Sequence, residues 1–138
     1  MKRITPDKVT QLGPNQIFVF GSNQSGRHGK GAAKTALKWG AKWGQAEGLQ
    51  GRTYGIPTKD ASIKRSLSPV EIKPYVDRFI IFAKENPQMN FLVTEVGCGL
   101  AGHNAKVIAP LFEGAELLTN IWLPSKFLHK LLNNDTTK

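Results

Sequence analysis

The sequence predicts an α/β sandwich with a largely parallel sheet, and three observations predict it. Short apolar runs rich in β-branched and aromatic residues alternate with longer segments of helical period. Glycine and proline mark the junctions between them. Three loops that follow strand-like runs, GSNQSGRHGKG, PTKDASIKR and GCGLAGHN, carry the unusual residues of the chain. Ligands of such sheets sit outside the carboxyl ends of the strands, so these loops mark the expected site. A length of 138 residues suits one domain, 1–138, with its core over 16–124.

In order, QIFVF (16–20) is the first strand: apolar, aromatic, β-branched and followed by glycine. GKGAAKTALKWGAKW (29–43) has Ala32, Ala36, Trp39 and Trp43 at helical spacing, with Lys30, Lys34, Lys38 and Lys42 on the opposite face. Like charges four apart weaken an isolated helix, so packing of the apolar face must hold it, with the tryptophans in the core. QAEGLQG is expected as a loop, RTYGIPT (52–58) as a strand that stops at proline, and KDASIKRSLS as an exposed basic loop. Ser68, Pro69 and Glu71 spell an N-cap, a first-turn proline and a capping box for a helix over 68–87, which Pro74 should kink or delay. NFLVTEV (90–96) is a third strand, AKVIAPLFEGA a short helix, NIWLP (120–124) a last strand and SKFLHKLL a closing helix. The end, 133–138, is expected to fray.

A formal charge of +9 and a pI near 9.9 predict attraction to polyanions or to an anionic ligand. The cations are dispersed and form no basic block. No apolar run reaches bilayer length, so no membrane partner is expected, and the charged, polar start lacks the apolar stretch of a secretory signal. A lone cysteine, Cys98, excludes an internal disulfide and fits a cytoplasmic location.

Gly21, Gly26, Gly29 and Gly31 crowd into VFGSNQSGRHGKGAAKTAL, and glycine in ordered structure costs roughly 0.5–1 kcal/mol against alanine. A diphosphate supplies a reason: it needs backbone N–H groups that approach closely, and a following helix adds its positive end. Familiar nucleotide motifs do not fit. Arg27 and His28 stand where a P-loop needs lysine and a hydroxyl, and Lys34 breaks the dinucleotide glycine pattern. Close packing of helix on sheet is the other reading of these small residues. His28 and His103, each in a glycine-rich turn, have three open roles: acid–base catalysis, phosphate binding or exposed loop. Arg27 and Lys30 either grip phosphate or are solvated, and Lys59 follows a strand end. Cys98 reads as a small apolar packer, and no zinc spacing is present.

VFGSNQSGRHGKGAAKTAL, YGIPTK and VTEVGCGLAG, in this order, resemble the macro-domain family, which binds ADP-ribose and its derivatives. The likeness covers 16 to 124. Within the family it is nearest to small phage and bacterial proteins of ADP-ribose 1″-phosphatase type and to the branch of terminal ADP-ribose protein glycohydrolase. It implies a three-layer α/β/α sandwich, a diphosphate between 26–32 and 97–103, the distal ribose at Asn23, and no cofactor. Candidate contacts are then Gly21, Ser22, Asn23, Gly26, Arg27, Gly29, Lys30, Gly31 and Ala32 in the first segment, with Thr58 and Lys59 in the second. Gly97, Cys98, Gly99, Leu100, Ala101, Gly102 and His103 follow in the third.

That branch pairs a lysine with an aspartate; Lys59 stands at the lysine position, whereas Ala101 replaces the aspartate. Asp60, next to Lys59, is a candidate substitute. The family's adenine-contacting aspartate precedes the first strand, where Asp7 lies. Three functions follow as expectations. The first is hydrolysis of ADP-ribose 1″-phosphate or of an ADP-ribosyl conjugate, with Asn23, His28 and Lys59 in the chemistry. The second is a non-catalytic ADP-ribose module, able to read an ADP-ribosylated protein. The third is a basic nucleic-acid binder.

Overall fold

The computed structural model describes residues 3–133. Strand β1, Gln16–Asn23, is the centre of a five-stranded sheet and pairs in parallel with β3, Thr53–Lys59, and with β4, Asn90–Val93. A short β5, Ile121–Trp122, lies parallel to β4 on one edge, and β2, Gly48–Gln50, runs antiparallel to β3 on the other. The sheet is thus mixed and mostly parallel.

β1 reads as a continuous apolar run because both of its faces are covered. Ile17 and Val19 point into the larger core, where Ile72, Val76, Phe79 and Ala83 of helix α2, Pro69–Glu85, meet Phe91, Phe112 and Phe127. Phe18 and Phe20 face the other way, onto Ala33, Ala36 and Ala41. Ala33 and Ala36 belong to α1, Gly31–Ala36, whose small side chains let it lie close on the sheet. Helices α3, Ala105–Ile108, and α4, Ser125–Asn133, pack beside the larger core.

Several boundaries differ from expectation, each for a physical reason. β1 continues past Phe20 through Gly21 and Ser22 to Asn23, because β3 also continues and offers it partners. β3 does not stop at Pro57. The pairing slips there, from Ser22–Pro57 to Asn23–Lys59, a bulge at the residue that has no N–H to donate. The slip sets Asn23 level with Lys59. The expected helix over 29–43 is only Gly31–Ala36 plus a 3-10 turn, Leu37–Trp39, because Gly40 takes φ 105° and its Cα faces Gly51 too closely for any side chain.

The expected loop at 45–51 contains β2. Its signal lies in tertiary bonds: buried Gln50 accepts from the Lys42 N–H at 2.7 Å and donates to the Gln45 carbonyl at 3.2 Å. Trp43 is not core; it is 62 % exposed. β4 ends at Val93, three residues early, as the chain turns away after Thr94. The capping box of Ser68 and Glu71 forms as spelled, and α2 starts at Pro69 and runs through Pro74. Of the expected frayed end, 134–138 lie outside the described residues. Among the described residues no helix is long and apolar enough to cross a membrane.

Candidate functional site

β1, β3 and β4 end side by side, and the loops that leave them border one cavity of about 800 Å³. Gly21, Ser22 and Asn23 line it from the end of β1, and Thr58 and Lys59 from the end of β3. The first glycine turn adds Arg27, Gly29 and Lys30, followed by Gly31 and Ala32 at the start of α1. The turn after β4 adds Gly97, Gly99, Leu100 and Ala101. The two glycine turns meet: a Cβ on Gly31 would stand 3.3 Å from the Leu100 side chain, and one on Gly21 would stand 3.5 Å from the Gly97 nitrogen.

Asn23 holds the first turn in shape. Its Oδ1 accepts from the Arg27 N–H at 2.9 Å and the Ser25 hydroxyl at 2.8 Å, while Nδ2 donates to the Arg27 carbonyl at 2.6 Å. The second hydrogen of Nδ2 has no acceptor among the described residues, and Asn23 is one of the residues lining the cavity. Lys30, the residue before α1, provides no side-chain cap, so the first-turn amides of that helix are not taken up by one. In the other turn, the N–H groups of Leu100 and Ala101 find no acceptor among the described residues. Arg27, Lys30 and Lys59 set three cations on the cavity against one carboxylate, Glu95, and none of the three forms an ion pair among the described residues.

Glycine is required by the fold at some positions and not at others. Gly26 has φ 71°, and a Cβ there would fall 2.4 Å from the Gly44 carbonyl carbon, so its role is to let two backbones touch. At Gly29 a Cβ would meet only the tip of the Trp43 ring at 4.0 Å, and at Gly99 it would meet nothing within 4 Å. Neither residue has a positive φ. Both line the cavity, and no neighbour within the protein needs them small.

Five of the expected contacts do not line this cavity. Gly26 is turned to Gly44. His28 is fully buried; a ring N–H donates to the Lys42 carbonyl at 2.9 Å and the ring packs on Phe20, so it is neither an exposed loop residue nor a group facing the cavity. His103 donates through its ring to the Leu67 carbonyl at 2.7 Å, and Gly102 closes the turn by donating to the Gly99 carbonyl. Cys98 packs against the core, where burial pushes its thiol up to about 11, and it borders a neighbouring cavity instead.

Asp60 does not supply the missing carboxylate. It accepts from the Ser62 hydroxyl at 2.6 Å and the Ser62 N–H at 3.1 Å and lies 3.6 Å from Arg65, which together hold its pKa below the ordinary value. Ala101 is nearly buried and its carbonyl accepts from the Ser66 hydroxyl, leaving a methyl at that point of the lining. The titratable side chains on the cavity are therefore Arg27, Lys30, Lys59 and Glu95.

Trp43, Ile63 and Glu95 also line the cavity and were missed by sequence reasoning. Glu95 was legible as the acid beside the second glycine turn. Trp43 and Ile63 were not, because each reaches the cavity through tertiary contacts or a backbone angle that no local pattern encodes. A second cavity of about 400 Å³ adjoins the first through Ala32, Thr94, Glu95 and Gly99, and Asp7 and Phe18 line it without lining the first. Comparisons with protein-family models, curated proteins and solved structures give no match to this chain.

Proposed function

We propose that this chain is a macro-domain-like module, three-layered, that binds ADP-ribose or a derivative through its diphosphate. The observation that carries the reading is the pair Gly29 and Gly99: two cavity-lining glycines on facing turns, neither demanded by backbone angle nor by a protein neighbour. Close approach of a ligand to main-chain N–H groups accounts for both. Arg27, Lys30 and Lys59 supply the matching positive charge, and the cavity volume lies in the range of small-molecule sites. Asp7, beside Phe18 in the adjoining cavity, suits an adenine whose amino group seeks an acceptor.

Binding is favoured over hydrolysis because Ala101 and the engagement of Asp60 leave no carboxylate in the expected place. One observation supports a second, hydrolytic reading: Lys59 and Glu95 line the same cavity, an amine and an acid of the kind that glycosidic cleavage requires. Calorimetric titration with ADP-ribose tests the first reading, with saturable binding expected and its absence at millimolar ligand overturning it. Cleavage of ADP-ribose 1″-phosphate or of an ADP-ribosylated protein, lost in Lys59→Ala, would establish the second; no cleavage of either substrate by the parent protein rejects it.

A further inference from the structure

Trp43 is the largest apolar side chain that the described residues leave in the open, and it is held there from both sides. The carbonyl of the preceding Lys42 accepts from the buried His28 ring at 2.9 Å, and the N–H of the following Gly44 donates to the Gly26 carbonyl at 2.8 Å. The His28 ring also meets the indole edge to face, centroids 6.3 Å apart at 76°. Trp39 differs: its ring rests on Phe18 at 5.0 Å and Lys38 lies 4.8 Å over it. Among the described residues Trp43 has no ring partner but His28, and it lines the cavity. An exposed indole on an anchored backbone, its edge against a buried ring, offers a flat face to a ligand.

Two more apolar side chains line the same cavity from other loops. Leu100 is 62 % exposed. Ile63 has φ 69°, a left-handed backbone that a β-branched residue adopts only under strain. The turn that imposes it is braced by the Asp60 carboxylate on Ser62 and by the Ile63 N–H on the Asp60 carbonyl at 3.0 Å. Burial does not explain Ile63, which is only partly covered. None of Trp43, Ile63 and Leu100 touches the second cavity, so they stand away from the end where Asp7 lies.

We infer that the ligand carries a planar ring at the end remote from Asp7, stacked on Trp43 with Ile63 and Leu100 as apolar walls. This rests on the diphosphate reading above and adds the substrate class: a dinucleotide or a ring-bearing ADP-ribose conjugate, in preference to the free sugar end. Stacking on an aromatic side chain is tolerant of ring identity, so shape and planarity are what the site selects.

Calorimetry with ADP-ribose and with NADH, whose dihydronicotinamide is uncharged, tests it on the parent protein, Trp43→Ala and Trp43→Phe. NADH should bind the parent about tenfold more tightly than ADP-ribose. Trp43→Ala should erase that advantage and Trp43→Phe keep most of it, with unchanged urea midpoints showing that both fold. Equal affinities in the parent, or an advantage that survives Trp43→Ala, overturn the ring while leaving diphosphate binding intact. Absence of binding by both ligands overturns the diphosphate reading as well, so the two failures are distinguishable.

Discussion

In the first glycine turn, residues 21–31, the chain is sewn to distant segments. Gly26 lies against Gly44, the His28 ring holds Lys42, and the Asn23 amide spans the turn to Arg27. In the second, residues 97–102, the backbone bonds are local, Cys98 to Glu95 and Gly102 to Gly99. Its outside anchors are few: Ser66 on the Ala101 carbonyl and the adjoining His103 on Leu67. The two turns look alike in composition and face the same cavity, yet the first is tied to distant segments and the second is held mainly by its own bonds. Glycine content alone does not separate a residue the fold needs from one a ligand needs; what a Cβ would strike does.

Substitutions that add a single methyl can break this comparison. The largest effect is expected at Gly26→Ala, where a methyl would collide with the Gly44 backbone at a positive φ. Stability should fall by about 3 kcal/mol, read as a lower urea midpoint. A midpoint close to the parent would mean that the first turn is no more constrained than the second.

Gly29→Ala and Gly99→Ala should behave in the opposite way. Each should leave the stability read from urea unfolding within about 0.5 kcal/mol of the parent, or raise it slightly by restricting the unfolded chain. Each should weaken ADP-ribose binding by roughly tenfold or more, because a side chain then intervenes between ligand and amides. If both variants bind as well as the parent, close approach is not what keeps these positions glycine.

The smallest effect concerns the segment on which the second turn leans. Arg65 meets Glu71 at 2.9 Å on the surface, and this contact first, with the Ser68 N–H, lowers the Glu71 carboxyl from 4.5 to about 2. A carboxyl lowered on folding contributes stability that is complete above its unfolded value and is lost as pH falls toward the folded one. Glu71→Gln preserves the capping geometry but not the charge. Its thermal midpoint should sit slightly below the parent at neutral pH, and the gap should close between about pH 4.5 and about pH 2. A gap that widens on acidification would show that the ion pair does not act on this segment.

Much of the scaffold was legible locally. The apolar run of β1, the capping box of α2 and the strand–helix alternation rest on periodicity and on side chains that bond within a few residues. Fourteen of the nineteen expected site residues line the cavity, because the loops at the carboxyl ends of parallel strands must converge. Of those that fell elsewhere, Gly26 came from the family resemblance and His28 from its place in a glycine-rich turn, and neither says which way a residue faces.

The amino-acid sequence by itself determined that an α/β sheet would bring glycine turns and cations to one edge, since apolar period and turn chemistry act over short spans. Only the tertiary structure decided which glycines touch protein and which face open space, that Trp43 is exposed yet fixed, and that Asn23 and Lys59 are level across a bulge. Those outcomes depend on bonds between residues far apart in the chain, and such bonds exist only once the sheet has assembled.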